Sequence, residues 1–230
     1  MDRGLAAGVL TIILGVGGSA AASTGAGEPD TPECAPAREL STGDSWPAAA
    51  VAKVALLSAR QPLAVAFTET RQMPARRTPV QVEGTLRLDR HGGLSLHYPG
   101  GREELVVVAD EQGLAWRAGR RPFRPLPAGR ADLPVDLLRA VLAGDLTTQR
   151  GSWEEDAEAG TWQLVLVAPE GGGEGSWTQA RLSGRGEELN RMEMQLARGV
   201  VVVIELGIPG YLTAFSAAEQ ASYFRRGTVP

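Results

Sequence analysis

The sequence predicts an α+β fold that is mainly β: an antiparallel meander of about nine strands, crossed by two or three helices. Three observations carry this prediction. From Val80 to Leu88 the even positions are Val80, Val82, Gly84, Leu86 and Leu88, while Gln81, Glu83, Thr85 and Arg87 are polar. That period of two marks a sheet with one dry face and one wet face. Comparable runs recur along the chain with only short turn signals between them, too short for the crossovers that parallel strands need. Helical spacing with a start and a stop is confined to a few short segments.

In chain order, Asp2 and Arg3 precede an apolar run from Leu5 to Val16, followed by Gly17-Gly18-Ser19-Ala20-Ala21-Ala22. A charged start, a short apolar stretch and a small-residue exit describe a cleaved signal peptide over residues 1–22. The run is short for a membrane span, which takes about 20 apolar residues. Residues 23–44, rich in Gly, Pro, Ser and Thr, read as a flexible tether holding the only cysteine, Cys34. Thr31-Pro32-Glu33 before it lacks the residues of a lipidation signal. Residues 45–230 form the folded domain.

Asp44 or Ser45 can cap a helix that opens on Trp46-Pro47 and runs to Arg60, with Trp46, Ala50, Val54 and Leu57 on one face and Pro62 as its stop. Strands follow at Leu63–Arg71 and Val80–Leu88, then Leu94–Tyr98 after a His91-Gly92-Gly93 turn. Leu105–Ala109 is an unbroken apolar run, turned by Asp110–Gly113 into Leu114–Trp116. Arg117–Arg130, rich in Pro and Arg, reads as an extended crossing. A second helix opens at Leu133-Pro134, carries Leu137, Leu138, Val141 and Leu142, and closes at Gly144. Strands at Trp162–Leu166, Trp177–Leu182, Met192–Leu196 and Val200–Leu206 complete the meander, with a glycine-rich hairpin loop over residues 170–175. The end is open between a strand around Tyr211–Phe215 and a helix over Ala217–Arg226.

Composition removes several chemistries. One Cys in 230 residues excludes an internal disulfide framework and a multi-cysteine metal site, and two His leave little for a His-based one. A net charge of −4 supplies no global positive field for nucleic acid. Ser95 lies between His91 and His97, but no serine sits in a G-x-S-x-G elbow. The pairs Glu103-Glu104, Glu154-Glu155 and Glu187-Glu188 read as solvated turn charges. Gly171–Gly173 lacks the Lys-Ser/Thr of a phosphate loop. Arg120, Arg121, Arg124 and Arg130 read as a solvated basic crossing or a docking surface. The expectation is a protein that is not an enzyme and holds no metal or cofactor.

The dry face of so large a sheet needs cover, and the first helix is largely alanine. A curved sheet with small-residue helices across its mouth would leave an apolar hollow, although patterning alone leaves open whether that space is a cavity or a packed core. A carrier has a physical rationale. Each exposed acyl CH₂ costs roughly 0.8 kcal/mol, so a 16-carbon chain costs on the order of 12 kcal/mol in water.

The residues Phe67-Thr68-Glu69-Thr70-Arg71, Val82–Arg90, Leu94-Ser95-Leu96, Leu105–Asp110 and Gly113-Leu114-Ala115-Trp116 resemble, in this order, the F-x-Q/E, G-x-L and v-x-D-G-x-x-W landmarks of the LolA-like periplasmic outer-membrane lipoprotein carriers. Val141–Leu146 and Gly160–Leu164 look like the LolA-related subgroup of polyene-lipid and fatty-acid export systems. The resemblance runs from about Trp46 to Leu206. It implies an incomplete antiparallel β-barrel with α-helices as a lid over a hydrophobic cavity for acyl chains. Phe67, Leu86, Leu88, Leu96, Val106, Val108, Leu114, Trp116, Leu164, Leu166, Met192 and Met194 would line it. Arg90 matches the arginine that holds the lid closed; the family's following proline is His91 here, and its aromatic position in the next strand is Leu96. The resemblance further implies a monomer in the periplasm of a Gram-negative bacterium. It would take lipoprotein or lipid acyl chains from an inner-membrane exporter to an outer-membrane acceptor. A second reading is an envelope-stress sensor or protein-interaction domain on a similar half-barrel.

Overall fold

The computed structural model describes residues 46–100, 103–126, 135–168 and 177–225. The signal peptide, the tether with Cys34, the 170–175 loop and Arg130 lie outside the described residues. Helix α1 spans Ala48–Ala59. It leads into strands β1 (Leu63–Gln72), β2 (Val80–Leu88), β3 (Leu94–Tyr98), β4 (Leu105–Asp110), β5 (Gly113–Ala118) and the two-residue β6 (Arg124–Pro125). Helix α2 (Val135–Leu142) precedes β7 (Arg150–Asp156), β8 (Thr161–Val167), β9 (Trp177–Arg185), β10 (Glu188–Leu196), β11 (Val200–Leu206) and β12 (Gly210–Tyr211). Helix α3 covers Ala217–Tyr223.

The strands form one antiparallel sheet in the order β6-β5-β4-β3-β2-β1-β11-β10-β9-β8-β7, with β12 also beside β1. Two meanders meet where β1 pairs with β11, Phe67 opposite Leu206 and Arg71 opposite Val202. β6 and β7 stand at opposite ends and do not pair, so the barrel is incomplete. The nine expected strands are all present. The three additional ones are the short β6 and β12, and β7, whose Arg-Gly-Ser-Trp-Glu-Glu-Asp carries no clear alternation. The Glu154-Glu155 pair, expected in a turn, therefore sits within β7.

Register fixes which side chains share the inner face. Val65 pairs with Leu86, Phe67 with Gly84 and Glu69 with Val82. Leu86 continues to Leu96, and Leu96 to Val107. In the other half, Ile204 lies opposite Met192 and Val202 opposite Met194, and Leu164 opposite Leu182. Phe67 lies over Gly84, where a Cβ would stand 2.7 Å from Phe67 Cε1 and 2.6 Å from the His97 carbonyl oxygen. Gly84 in the G-x-L run thus makes room for an aromatic ring on the neighbouring strand.

Helix α2 lays Leu137, Leu138, Val141 and Leu142 onto this face and joins the common core. It stops as expected at Gly144, whose φ of +89° suits a residue without a Cβ. The Gly144 N–H donates to the Val141 carbonyl at 3.0 Å, and the Asp145 N–H to the Ala140 carbonyl at 2.9 Å. Helix α1 begins differently from the expected Asp44 or Ser45 cap: the N-cap is Pro47, with no side-chain bond. Ala50 and Val54 are buried, whereas Ala48, Ala49, Val51, Ala52, Ala55 and Leu56 face solvent.

The C-terminal segment takes both of its alternatives in turn, the short β12 and then α3. Ser216 and Glu219 form a capping box at the start of α3, with the Glu219 N–H donating to Ser216 Oγ and the Ser216 N–H to Glu219 Oε2. This helix packs on the outer face of β2–β5, as the contacts of Tyr223, Ser222 and Arg225 described below establish. The placement corrects two expected inner residues. Val106 and Val108 pair with His97 and Ser95, on the face opposite Leu96. Both are fully buried, on the side where α3 packs. In an apolar run such as Leu105–Ala109 both faces are dry, so the sequence offers no phase by which to tell them apart.

Candidate functional site

Most of the inner face is filled. Leu96, Leu138, Leu164, Leu166, Met192, Met194 and Ile204 are wholly inaccessible. Space remains at one end of the sheet, in an apolar cleft of about 480 Å³ counted to its open mouth. Only a few water molecules' worth of that space is enclosed. Leu57 and Arg60 from the end of α1, Leu63 and Val65 of β1, Leu86 and Leu88 of β2 and Leu142 of α2 form its walls. Glu187, Glu188 and Leu189 from the β9–β10 hairpin, with Leu206, Pro209 and Tyr211, complete them. The walls are apolar because each strand contributes its inner phase; the polar atoms sit at the rim.

Arg60, just past α1, organises that rim. Its guanidinium pairs with Glu187, donates to Tyr211 Oη at 3.2 Å and sits 5.5 Å above the Tyr211 ring. Four further side chains fasten α1. Lys53 Nζ donates to the Gly186 carbonyl at 2.8 Å and lies 3.7 Å from Glu155. Ser58 Oγ donates to the Ala143 carbonyl at 3.1 Å, and Gln61 Nε2 to the Leu142 carbonyl at 2.7 Å. Trp46 Nε1, ahead of the helix, donates to the Leu146 carbonyl at 3.0 Å. Helix α1 is therefore held mainly by polar contacts at its ends and by few buried side chains along its length.

Of the twelve residues expected to line a cavity, Leu86 and Leu88 border the cleft. Phe67, Leu96, Leu164, Leu166, Met192 and Met194 belong to the packed core beneath it. Leu114 and Trp116 are half-buried on the inner phase of β5, opposite Ala109 and Val107. Val106 and Val108 lie on the other face. Arg90 is exposed in the turn after β2 and has no hydrogen-bond or ion-pair partner among the described residues. Neither Arg60 nor Tyr211 was marked by the sequence, since they meet across 151 positions.

Two polar clusters lie outside the cleft. On the inner face, Glu69 is wholly buried; it pairs with Arg71 and accepts from Tyr98 Oη at 2.8 Å. Burial, then the Glu69 charge and hydrogen bond, hold the Tyr98 phenol well above its ordinary value. Tyr98 also meets Phe67 edge-on at 5.4 Å. On the outer face, Arg117 Nε and Nη2 donate to the Ser222 carbonyl of α3 at 3.0 and 2.5 Å. Its Nη1 donates to Glu104 Oε1 at 3.0 Å. His97 lies 3.3 Å from Glu104 Oε2 and 5.2 Å from the Tyr223 ring. Arg87 stacks 3.7 Å over the same ring, and Arg225 pairs with Asp110. Burial, aided by Arg87 and Arg117 against the Glu104 hydrogen bond, pulls the His97 pKa below its ordinary value.

Ser95 and His97 share the outer phase of β3, but Ser95 Oγ is buried without a hydrogen-bond partner among the described residues. No group of three or more His, Cys, Asp or Glu stands in metal-ligating arrangement among the described residues. Arg121 pairs with Glu103 at 3.0 Å, and Arg120 and Arg124 are exposed.

No family model matches the chain, and no curated protein matches it. Solved structures with a similar chain path include a DUF1329 family protein from Desulfovibrio piger, 11% identical, at a TM-score of 0.45 over 74% of this chain and 95% of that one. A LolA superfamily protein from Nitrosomonas europaea is 8% identical at 0.44, over 74% of this chain and 96% of that one. A Vibrio parahaemolyticus domain described as an outer membrane lipoprotein-sorting protein is 8% identical at 0.41, over 74% and 94%.

Proposed function

We propose that this chain is a non-enzymatic carrier that shields acyl chains, of lipoproteins or of lipids such as polyene or fatty-acid products, between the two membranes of a Gram-negative envelope. The observation that carries the reading is the apolar cleft between α1 and the β1–β2 strands, bordered by polar groups only at its rim. An acyl chain offers no hydrogen bonds, so its host needs apolar walls and an entrance rather than placed donors. The enclosed part of the cleft is small, and a long chain enters as α1 swings away. That helix buries little beyond Ala50 and Val54, so its departure requires chiefly the release of the polar contacts of Trp46, Lys53, Ser58, Arg60 and Gln61. Arg90 is kept as a candidate brace for the closed form. It lies two positions before Gly92, at which a Cβ would stand 3.9 Å from the Cβ of Ala143, the residue after α2.

The carrier would work as a monomer in the periplasm, exported by the cleaved segment 1–22, receiving cargo from an inner-membrane exporter and passing it to an outer-membrane acceptor. Delipidated protein titrated with a fluorescent fatty acid should bind saturably, and protein purified without detergent should carry lipid detectable by mass spectrometry. A folded sample that binds no acyl chain in either experiment refutes the carrier. A protein partner bound regardless of acyl chains would favour the sensor reading instead.

A further inference from the structure

The large hydrophobic side chains exposed among the described residues are Val51, Leu56, Ile208, Tyr211 and Leu212, at 49%, 40%, 91%, 47% and 38%. All five belong to the two segments that border the cleft mouth, α1 and the 207–213 stretch around β12. The segments are joined there. Arg60 reaches Tyr211, and the Leu212 N–H donates to the Pro62 carbonyl at 2.9 Å. Scattered exposed apolar side chains need no explanation, but confinement to the rim of one cleft does. A helix apolar on every side is normally buried on every side.

From this we infer that the rim formed by α1 and the Ile208–Leu212 tongue docks on the surface of a lipid bilayer, which places the cleft mouth against the acyl chains. Charge argues for lipid over protein. Residues 206–218 contain no charged residue. The one cation within α1, Lys53, is turned to Gly186 and Glu155, and Arg60 is paired with Glu187. The rim offers few free polar atoms. Tyr211 Oη accepts from Arg60, the half-exposed Arg60 and Glu187 are spent on each other, and Thr213 adds one hydroxyl. A protein–protein interface typically carries about ten direct hydrogen bonds. A neutral apolar rim ending in a tyrosine is suited to the boundary between headgroups and acyl chains, where no directional partner is required. The area is small, so the contact is reversible, as loading and release both demand.

The inference rests on the carrier reading, and the experiment separates the two. The exported form of the chain, its N-terminus established by mass spectrometry, is floated with neutral phosphatidylcholine–phosphatidylethanolamine vesicles in 0.1 M and 1 M salt, both concentrations set at about the limits of weak and strong screening. Co-flotation should persist at high salt and fall about tenfold in Val51→Ser/Ile208→Ser, two exposed positions outside the cleft walls. Fatty-acid binding in vesicle-free solution should be the same for both proteins. No flotation, flotation abolished by salt, equal flotation of the variant, or a patch-dependent dimer by light scattering each overturns docking and leaves the carrier standing. Absence of fatty-acid binding by the unaltered protein in solution instead removes the carrier, whatever the vesicles show.

Discussion

Replacing Arg117 by Met should release α3 from the outer face of the sheet without unfolding the domain. The substitution keeps most of the apolar stem and removes only the guanidinium. Two of its donors converge on the Ser222 carbonyl, a third reaches Glu104, and Gly119 offers a further acceptor. The Ser222 contact is shielded, because the Arg117 side chain is 10% exposed; a hydrogen bond from a charged donor is then worth about 1.5–3 kcal/mol. Glu104 is 38% exposed, so that ion pair adds at most about 1 kcal/mol. That pair joins Arg117 to the sheet side and survives when α3 opens, so the Ser222 bonds alone set the effect. Up to about 3 kcal/mol corresponds to as much as roughly a hundredfold larger open fraction of α3. Seven residues are too few for a helix to persist undocked, so opening and melting coincide. Hydrogen exchange of the Ala217–Phe224 amides should accelerate by that factor. If α3 opens alone, the melting temperature should fall by much less than the roughly 6–12 °C that a globally transmitted 3 kcal/mol would cause in a domain of this size. Arg121→Met, which removes only the exposed pair with Glu103, serves as the control. Unchanged exchange in α3, or equal acceleration by the control, would refute the clamp.

Acid should loosen the same helix. The folded-state pKa of His97 lies below the ordinary 6.5, so its contribution is complete above that value and is lost as pH falls beneath it, where the unfolded chain takes the proton first. For Glu104, desolvation is outweighed by the Arg117 hydrogen bond and charge, and its pKa falls below 4.5. It therefore acts in the same direction at lower pH, and the protection factors of the α3 amides, which correct for the fall of the intrinsic exchange rate with pH, should decrease monotonically from about pH 7 to 4. Gly84→Ala should destabilise by about 1–3 kcal/mol, because its Cβ meets Phe67 and the His97 carbonyl; a lowered urea midpoint checks this. Arg60→Ala should change stability by less than about 1 kcal/mol, since both partners of its ion pair are partly exposed. The same variant should speed entry of a fluorescent fatty acid in stopped-flow mixing, and an unchanged entry rate would show that Arg60 does not restrain the mouth.

The fold was legible wherever burial is one-sided. Val80–Leu88 and Met192–Leu196 announce their phase because one side is wet, and both strands lie as expected. β7 was not legible. Its inner phase is Gly151, Trp153 and Glu155, only one of them a large hydrophobic, and Gly151 is needed because a Cβ there would collide with the Val165 carbonyl. Val106 and Val108 fell on the unexpected face because α3, arriving from more than 100 positions away, dries the outside of β4 as well. Ser216-Ala217-Ala218-Glu219 has the spacing of a capping box and could have placed the start of α3, but nothing local told which face it covers. The cleft was half legible. Leu86 and Leu88 were foreseeable from alternation, but Arg60, Glu187 and Tyr211 meet only through tertiary structure. Glu69 shares a phase with Phe67, so its burial could have been read from the spacing; nothing local announced Tyr98 as its partner.

The incomplete barrel also has a consequence for life at high concentration. A sheet that does not close presents two free margins, and each is a template on which another chain can add a strand. Here one margin, β6, is two residues long and ends in Pro125, which has no N–H to offer. The other, β7, runs out into Glu154-Glu155-Asp156, exposed acids that would face their own kind in any edge-to-edge pairing. The opening can therefore be kept without inviting polymerisation.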